Sequence, residues 1–385
     1  MSFSSFNLEP SIHRGIDAAG YTEPRPIQAA TIPAALEGRD IMGLAQTGTG
    51  KTAAFALPII SRLLAAKRPG PRALVVAPTR ELATQIAEEI RTLARFTPLK
   101  ISTLFGGVPM RSQVTALRSS PEIIVGCPGR LLDLLEQRAL RLDRIEILVL
   151  DEADYMFDMG FLPDVRRLLR ALPPRRQNLL FAATMPPEIR ALADALLHGP
   201  VTSEIAHSRP ASTIDHALYP VSADSKLIML EQVLREDTFV SAIVFTRTRH
   251  RAQRLARQLA NAGHRAVALQ GNMTQGQRDR AMNGFRARRY DVLVATDIAA
   301  RGLDVEQVSH VVNFDMPGTP EAYTHRVGRT GRSERDGKAY TFVTPDDDDL
   351  VRQVERRIGG TIPRRHLRRA AAGAPRGQRT RVGAA

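Results

Sequence analysis

A lysine and a hydroxyl at the end of a glycine-rich loop, Ala45 to Thr52 (AQTGTGKT), form the first group with chemical potential. Three carboxylates about a hundred residues later, Asp151, Glu152 and Asp154, form the second. In Gln46, Thr47, Gly48, Thr49 and Gly50 the small residues let backbone N–H groups turn inward on a phosphate. A helix starting near Lys51 would add its positive end. Lys51 is then placed to neutralise the β and γ phosphates, and the Thr52 hydroxyl to hold Mg²⁺. Position 45 is Ala where the strict pattern has Gly. Asp151 fits as the carboxylate that reaches the metal through its water shell, and Glu152 as the group that orients and deprotonates an attacking water. The pair implies hydrolysis of a nucleoside triphosphate.

Such groups need a scaffold, and the sequence supplies one. The carboxylates follow the apolar run 145–150, which reads as a buried strand whose end opens into a loop, the place where ligands bind in an open α/β sheet. Similar runs occur at 40–44, 73–77, 123–125 and 178–182, and a second series at 242–245, 266–269, 292–295, 310–313 and 339–343. Short runs buried on both faces and separated by amphipathic segments indicate parallel sheets, hence an α/β fold in two domains. The expected boundaries are 1–206 and 214–360, with a polar, proline-containing linker at 207–213. Residues 361–385 hold seven arginines and no acid, half of the net charge of +14, and read as a basic, disordered tail. That charge points to a polyanionic partner. The acidic run 346–349 reads as a solvated helix start. One cysteine, Cys127, excludes an intrachain disulfide and agrees with a reducing, cytoplasmic compartment. No membrane span or signal peptide is expected.

Further motifs stand in order along the chain: Gly20 to Gln28 (GYTEPRPIQ), Pro78 to Ala83 (PTRELA), Pro128 to Arg130 (PGR), Ala182 to Thr184 (AAT), Thr296 to Asp304 (TDIAARGLD) and His325 to Arg332 (HRVGRTGR). With these and Asp151 to Asp154, the chain resembles the DEAD-box RNA helicases of superfamily 2, and is similar to their bacterial RhlE-type branch. The resemblance runs from Phe3 to Arg332. It implies two tandem RecA-like domains, ATP and Mg²⁺ as cofactors, and RNA, as single strands and short duplexes, as partner. Gln28 would read adenine, since a carboxamide can donate and accept at the N6 and N7 edge together. Phe3 and Tyr21 are its implied neighbours around the base. Gly302 and Asp304 would meet the ribose. Arg329 and Arg332 would reach the γ phosphate as arginine fingers, with Arg326 supporting the motif. Pro78, Thr79, Arg80, Gly106, Gly107, Pro128, Gly129, Arg130, Arg247, Thr248, Gly271, Asn272, Gln275, Arg278 and Thr296 would grip sugar and phosphate without reading bases. Asp154, Ala182, Thr184 and His325 are the implied link between hydrolysis and unwinding.

The mechanism so implied is local strand separation, driven by cleft closure around ATP and RNA and reset by hydrolysis. Ribosomal and messenger RNA complexes are both compatible settings, and a monomer is expected. Besides Ala45, and Arg25 where the family usually has Thr, two departures in functional motifs carry weight. Cys127 replaces a Thr and removes a hydroxyl donor. Ala182 replaces a Ser, which weakens the expected coupling. An RNA clamp with weak unwinding and a DNA translocase are the competing readings.

Overall fold

The computed structural model describes residues 2–45, 48–66, 68–204, 214–300, 308–331 and 336–365. Each apolar run of the sequence becomes a parallel strand, and the chain divides into two compact units. The first unit runs α1 (Pro10–Ala18), α2 (Pro26–Leu36), β1 (Ile41–Leu44), α3 (Lys51–Ala65), β2 (Ala73–Val76), α4 (Arg80–Leu93), β3 (Ile101–Leu104) and α5 (Met110–Leu117). It continues with β4 (Ile123–Gly126), α6 (Pro128–Glu136), β5 (Ile147–Leu150), α7 (Ala153–Asp158), α8 (Leu162–Arg170), β6 (Gln177–Ala182), α9 (Pro187–Leu196) and β7 (Val201–Glu204). Its seven strands lie in the order β3-β4-β2-β5-β6-β1-β7.

The second unit runs β8 (Ile214–Pro220), α10 (Lys226–Val233), β9 (Ala242–Phe245), α11 (Arg249–Asn261), β10 (Ala266–Leu269) and α12 (Gln275–Arg286). It closes with β11 (Val292–Ala295), α13 (Asp297–Ala300), β12 (His310–Asn313), α14 (Pro320–Val327), β13 (Gly337–Val343) and α15 (Asp348–Ile358). Six strands lie in the order β10-β11-β9-β12-β13-β8. In both units helices flank an all-parallel sheet, the RecA-like arrangement.

Successive residues of a central strand feed two different cores, which is why the runs are apolar throughout. In β2, Ala73 and Val75 join the cluster with Ile59, Ile86 and Ile147, whereas Leu74 and Val76 join the one with Leu131, Leu148 and Leu180. The acidic run 346–349 leads into α15, as its position at a helix start suggested.

The expected tail begins too early. Residues 361–365 pack on the second unit: Ile362 is 2% exposed, Leu218 N–H donates to Pro363 O at 2.9 Å, and Arg365 N–H donates to Leu218 O at 2.8 Å. Arg364 pairs with Glu355 at 3.0 Å, and the Arg365 guanidinium holds both oxygens of Asp215 at 2.7 Å. Main-chain pairing and two acids thus retain a stretch that composition alone assigned to the tail. The expected linker, 207–213, and residues 366–385 lie outside the described residues. Among the described residues no helix is long and apolar enough to cross a membrane.

Candidate functional site

Strand order sorts the candidate residues of the first unit into two groups. The loops after β3, β4 and β2, three adjacent strands, carry Gly106 and Gly107, then Pro128 to Arg130, then Pro78 to Arg80. Those after β5, β6 and β1 carry Asp151 to Asp154, Thr184 and the glycine loop. One carboxyl edge therefore presents phosphate-gripping candidates on one half and triphosphate candidates on the other, meeting between β2 and β5.

At the triphosphate half, Gly48 and Gly50 adopt φ of 86° and 89°, and Gly50 caps α3. Position 50 requires glycine twice over, because an added Cβ would also lie 2.5 Å from Gln28 Nε2. Gln28 is 2% exposed, and the protein engages both ends of its carboxamide: Oε1 accepts from Arg25 N–H at 2.9 Å and Nε2 donates to Gly50 O at 3.0 Å. One lone pair and one proton remain for a base. Gln28 therefore braces the phosphate loop as well as facing the pocket. Arg25, where Thr is usual in the family, donates to Gly48 O at 2.5 Å. Nothing in the sequence marked that contact. A pocket of about 180 Å³ is lined by Tyr21, Arg25, Gln28, Lys51, Thr52 and Asp151, among others.

Phe3 is corrected. It is 4% exposed and stacks on Tyr21 with ring centroids 6.1 Å apart, with Phe6 edge-on at 5.9 Å. Through that stacking it backs Tyr21, which lines the pocket. Tyr21 is fixed from its other end by donating its hydroxyl to Glu89 Oε1 at 2.7 Å, and burial pushes its titration above the usual phenol range.

Lys51 opens α3 and is 6% exposed. Its Nζ lies 3.8 Å from Asp151 Oδ1 and, among the described residues, has no hydrogen-bond partner, which is costly for a buried ammonium. Asp151 is 2% exposed; burial pushes its carboxyl up to about 6, with Lys51 opposing and Glu152 adding to the rise. Glu152 occupies the left-handed region at φ 52°, where the strand turns into α7. Strained non-glycine backbone of this kind clusters at functional sites. Asp154 Oδ2 accepts from both Thr184 N–H and Thr184 Oγ1 at 2.9 Å. That link is complete without residue 182, whose side chain is wholly buried.

Thr79 caps α4, its hydroxyl oxygen accepting from Leu82 N–H at 3.2 Å, which leaves its proton to donate. The Arg80 guanidinium lies 4.8 Å from the centre of the Phe105 ring. Arg130 is turned inward, donating to Val108 O at 3.2 Å and lying 3.5 Å from Asp133. It braces the loop after Gly107. Cys127 caps α6 without a side-chain hydrogen bond, and burial pushes its thiol up to about 12.

In the second unit the loops after β10, β11 and β9, again adjacent, carry Gly271 and Asn272, Thr296, and Arg247 and Thr248. Arg247 is 68% exposed at its side chain, while its N–H donates to Asp315 Oδ2 at 3.0 Å. Thr248 caps α11, accepting from Arg251 N–H, and Asn272 Oδ1 accepts from Arg249 at 2.7 Å. Arg278 is half-buried on α12, in the helix that follows the β10 loop. Arg326, at the end of α14, is 2% exposed and makes four hydrogen bonds, two to Asp297 and one each to Asn313 Oδ1 and Asp315 O. His325 is half-buried on the same helix, and Arg329 just beyond it is 6% exposed. Gln46, Thr47, Gly302, Asp304 and Arg332 lie outside the described residues, as does the side chain of Gln275. Asp315 was missed in the sequence because only the folded chain brings it under Arg247.

Residues 25–192 match the family model described as DEAD/DEAH box helicase, and residues 225–334 that described as helicase conserved C-terminal domain. The ATP-dependent RNA helicase CshA of Listeria monocytogenes is 44% identical over 354 residues, 92% of this chain and 68% of that protein. Its namesake in Limosilactobacillus reuteri is 41% identical over 357 residues, 92% and 72% of the two chains. Among solved structures, S. cerevisiae Dbp5 bound to RNA and ADP BeF3 is similar with a TM-score of 0.85 at 32% identity, over 95% of each chain. With its phosphate loop and acidic tetrad on one strand edge, and with relatives this similar along nearly its whole length, the chain belongs to the DEAD-box family of RNA helicases.

Proposed function

We propose that this chain uses ATP to separate short RNA duplexes locally, or to remodel RNA–protein complexes, without sequence preference. The observation that carries the reading is Lys51: a buried ammonium with no hydrogen-bond partner among the described residues, beside a buried carboxylate and a pocket that the glycine loop lines. A triphosphate satisfies such a cation.

In this reading Lys51 holds the β and γ phosphates and Gln28 meets adenine with its remaining donor and acceptor. The Thr52 hydroxyl and Asp151 suit Mg²⁺, because a buried carboxylate whose proton affinity is raised by burial gains from a cation close by. When bound, the ion would supply charge neutralisation at the phosphate oxygens. Glu152 orients the attacking water and takes its proton. Arg329 and Arg332 are assigned to the γ phosphate on motif order. Thr79, Arg80, Arg247, Thr248 and Asn272 hold the RNA backbone, which makes binding tolerant of sequence. A reducing, cytoplasmic setting and a monomer complete the proposal. The arginine-rich end adds non-specific RNA affinity, and a deletion that tests it starts at His366, since the five residues before it are packed.

The test is multiple-turnover release of a short duplex with a single-stranded overhang, run alongside ATP hydrolysis. Wild type should release strands with ATP. Glu152→Gln should bind RNA and nucleotide normally and hydrolyse about 10² to 10⁴ times more slowly, without sustained release. Strand release equal in both proteins would sink the reading. A clamp that hydrolyses only to let go is the second reading, favoured by the buried methyl of Ala182; it would hydrolyse ATP yet release duplexes no faster than a non-hydrolysable analogue allows.

A further inference from the structure

Two segments hold more than the whole of the chain's net positive charge of +14. Residues 249–289 carry ten arginines against one acid, Asp279, and residues 361–385 carry seven arginines and no acid, so the other 319 residues are net −2. The first segment is α11, β10, α12 and the turn into β11, which is one edge of the second unit's sheet. α11 leads outward from β9 to β10, and α12 leads back from β10 to β11. With right-handed crossovers the two helices cover opposite faces of the edge. α11 buries Leu255 and Leu259, and α12 buries Ala281, Met282 and Phe285. Arg254, Arg257, Arg280, Arg286, Arg288 and Arg289 are exposed.

The turn after α12 is built to present its arginines. Arg288 sits in the left-handed region at φ 56°, unfavourable for a residue with a Cβ. Arg289 and Tyr290 both donate their N–H to Gly284 O, at 2.9 and 3.3 Å. The Tyr290 ring packs so closely on Gly284 that an added Cβ would lie 2.5 Å from it. Arg265 ties the turn down, holding Asp291 at 2.8 and 2.7 Å and donating to Arg288 O at 3.2 Å. It thereby also neutralises the nearest acid. The edge is continuous with the candidate RNA loops, since Arg249 on α11 holds Asn272 in the outermost of them.

We propose that this arginine edge is a second RNA surface, which binds the phosphates of the strand beyond the segment gripped by the loops. Guanidinium groups suit phosphate oxygens, and arginines on both faces of a sheet edge form a band of one sign. The inference rests on the RNA-helicase reading above. It adds reach along the strand and leaves the chemistry of ATP untouched.

Binding of the full chain to single-stranded RNAs of about 8 and about 30 nucleotides, lengths below and above one core footprint, is measured across a salt series. The variants are Arg254→Gln/Arg257→Gln/Arg286→Gln/Arg289→Gln and the same four changed to Lys. Each phosphate contact on a single strand contributes about 0.7 to the slope of log K against log salt. The Gln variant should flatten the slope by about 2 to 3 on the long RNA only, the Lys variant should restore it, and ATP turnover at saturating short RNA should stay at the wild-type value. An unchanged slope on the long RNA overturns the proposal while leaving the helicase reading intact. Failure of wild type to bind either RNA overturns that reading, and the proposal with it.

Discussion

Lys51 in the first unit and Arg326 in the second are both buried cations beside an aspartate, yet their surroundings differ in kind. The Arg326 guanidinium meets Asp297 at 2.6 and 2.7 Å, Asn313 Oδ1 at 3.1 Å and Asp315 O at 2.7 Å, and lies 5.0 Å from the centre of the Phe245 ring. Among the described residues Lys51 has one carboxylate at 3.8 Å and no hydrogen bond. A buried charge held by several hydrogen bonds serves the fold, whereas one left unsatisfied calls for a further partner such as a ligand, ion or water. By that contrast Arg326, the supporting arginine of its motif, is a structural rivet, whereas Lys51 is suited to an anion.

The contrast is broken most directly at Arg326. Arg326→Met leaves the half-buried Asp297 and the fully buried Asn313 without their partner and should lower the stability of the second unit by about 3 kcal/mol or somewhat more. Urea unfolding would read this, and Arg326→Lys should recover little because an ammonium cannot fork between two carboxylate oxygens.

A smaller effect is expected at His216, whose ring lies 6.0 Å from that of Tyr323 and whose Nδ1 is 2.8 Å from the Tyr323 hydroxyl. Burial lowers its titration to about 4, with Asp215 opposing. The unfolded chain therefore takes up this proton near pH 6.5 while the folded chain does not. Stability is full above about 6.5 and falls as pH drops toward 4, by about 2 to 3 kcal/mol. His216→Gln, which does not titrate, should flatten that part of the stability profile. An identical profile would show that the folded chain protonates His216 freely.

The smallest change is expected at Ala182. Because Asp154 already holds Thr184, Ala182→Ser should raise unwinding per ATP by no more than about 1 kcal/mol, roughly fivefold. Paired ATPase and duplex-release assays would detect it; an unchanged ratio removes residue 182 from the coupling path.

Ten strands were legible because their sequences run continuously apolar; nine are buried on both faces, and β10, half-buried at its sheet edge, is apolar all the same. The three that escaped notice, β3, β7 and β8, are all edge strands. Ile101 to Leu104 alternates half-buried with buried, Val201 to Glu204 is largely exposed, and β8 includes Asp215 and His216. An edge strand has fewer neighbours and tolerates polar residues, so its pattern dissolves into that of a loop. The site divides in the same way. Lys51, Thr52 and Asp151 to Asp154 could be read because their chemistry depends on local spacing. The burial of Phe3, the engagement of Gln28 by Arg25 and Gly50, the contact of Arg25 with Gly48 and the support of Arg247 by Asp315 depend on which distant segments meet. No local pattern encodes them.

The central claim is that Lys51 waits for the triphosphate. Thermal unfolding with and without a non-hydrolysable ATP analogue and Mg²⁺ tests it directly, on wild type and Lys51→Met. Removal of an unsatisfied buried cation should cost the ligand-free protein little, because Asp151, already raised by burial, can take up a proton in its place. The melting temperature of ligand-free Lys51→Met should therefore lie within about 3 °C of wild type. Its nucleotide-induced rise should vanish, whereas wild type at a hundredfold excess over Kd gains about 2.7 kcal/mol. A ligand-free melting temperature that falls as far as that of Arg326→Met, with the nucleotide shift retained, would contradict the account.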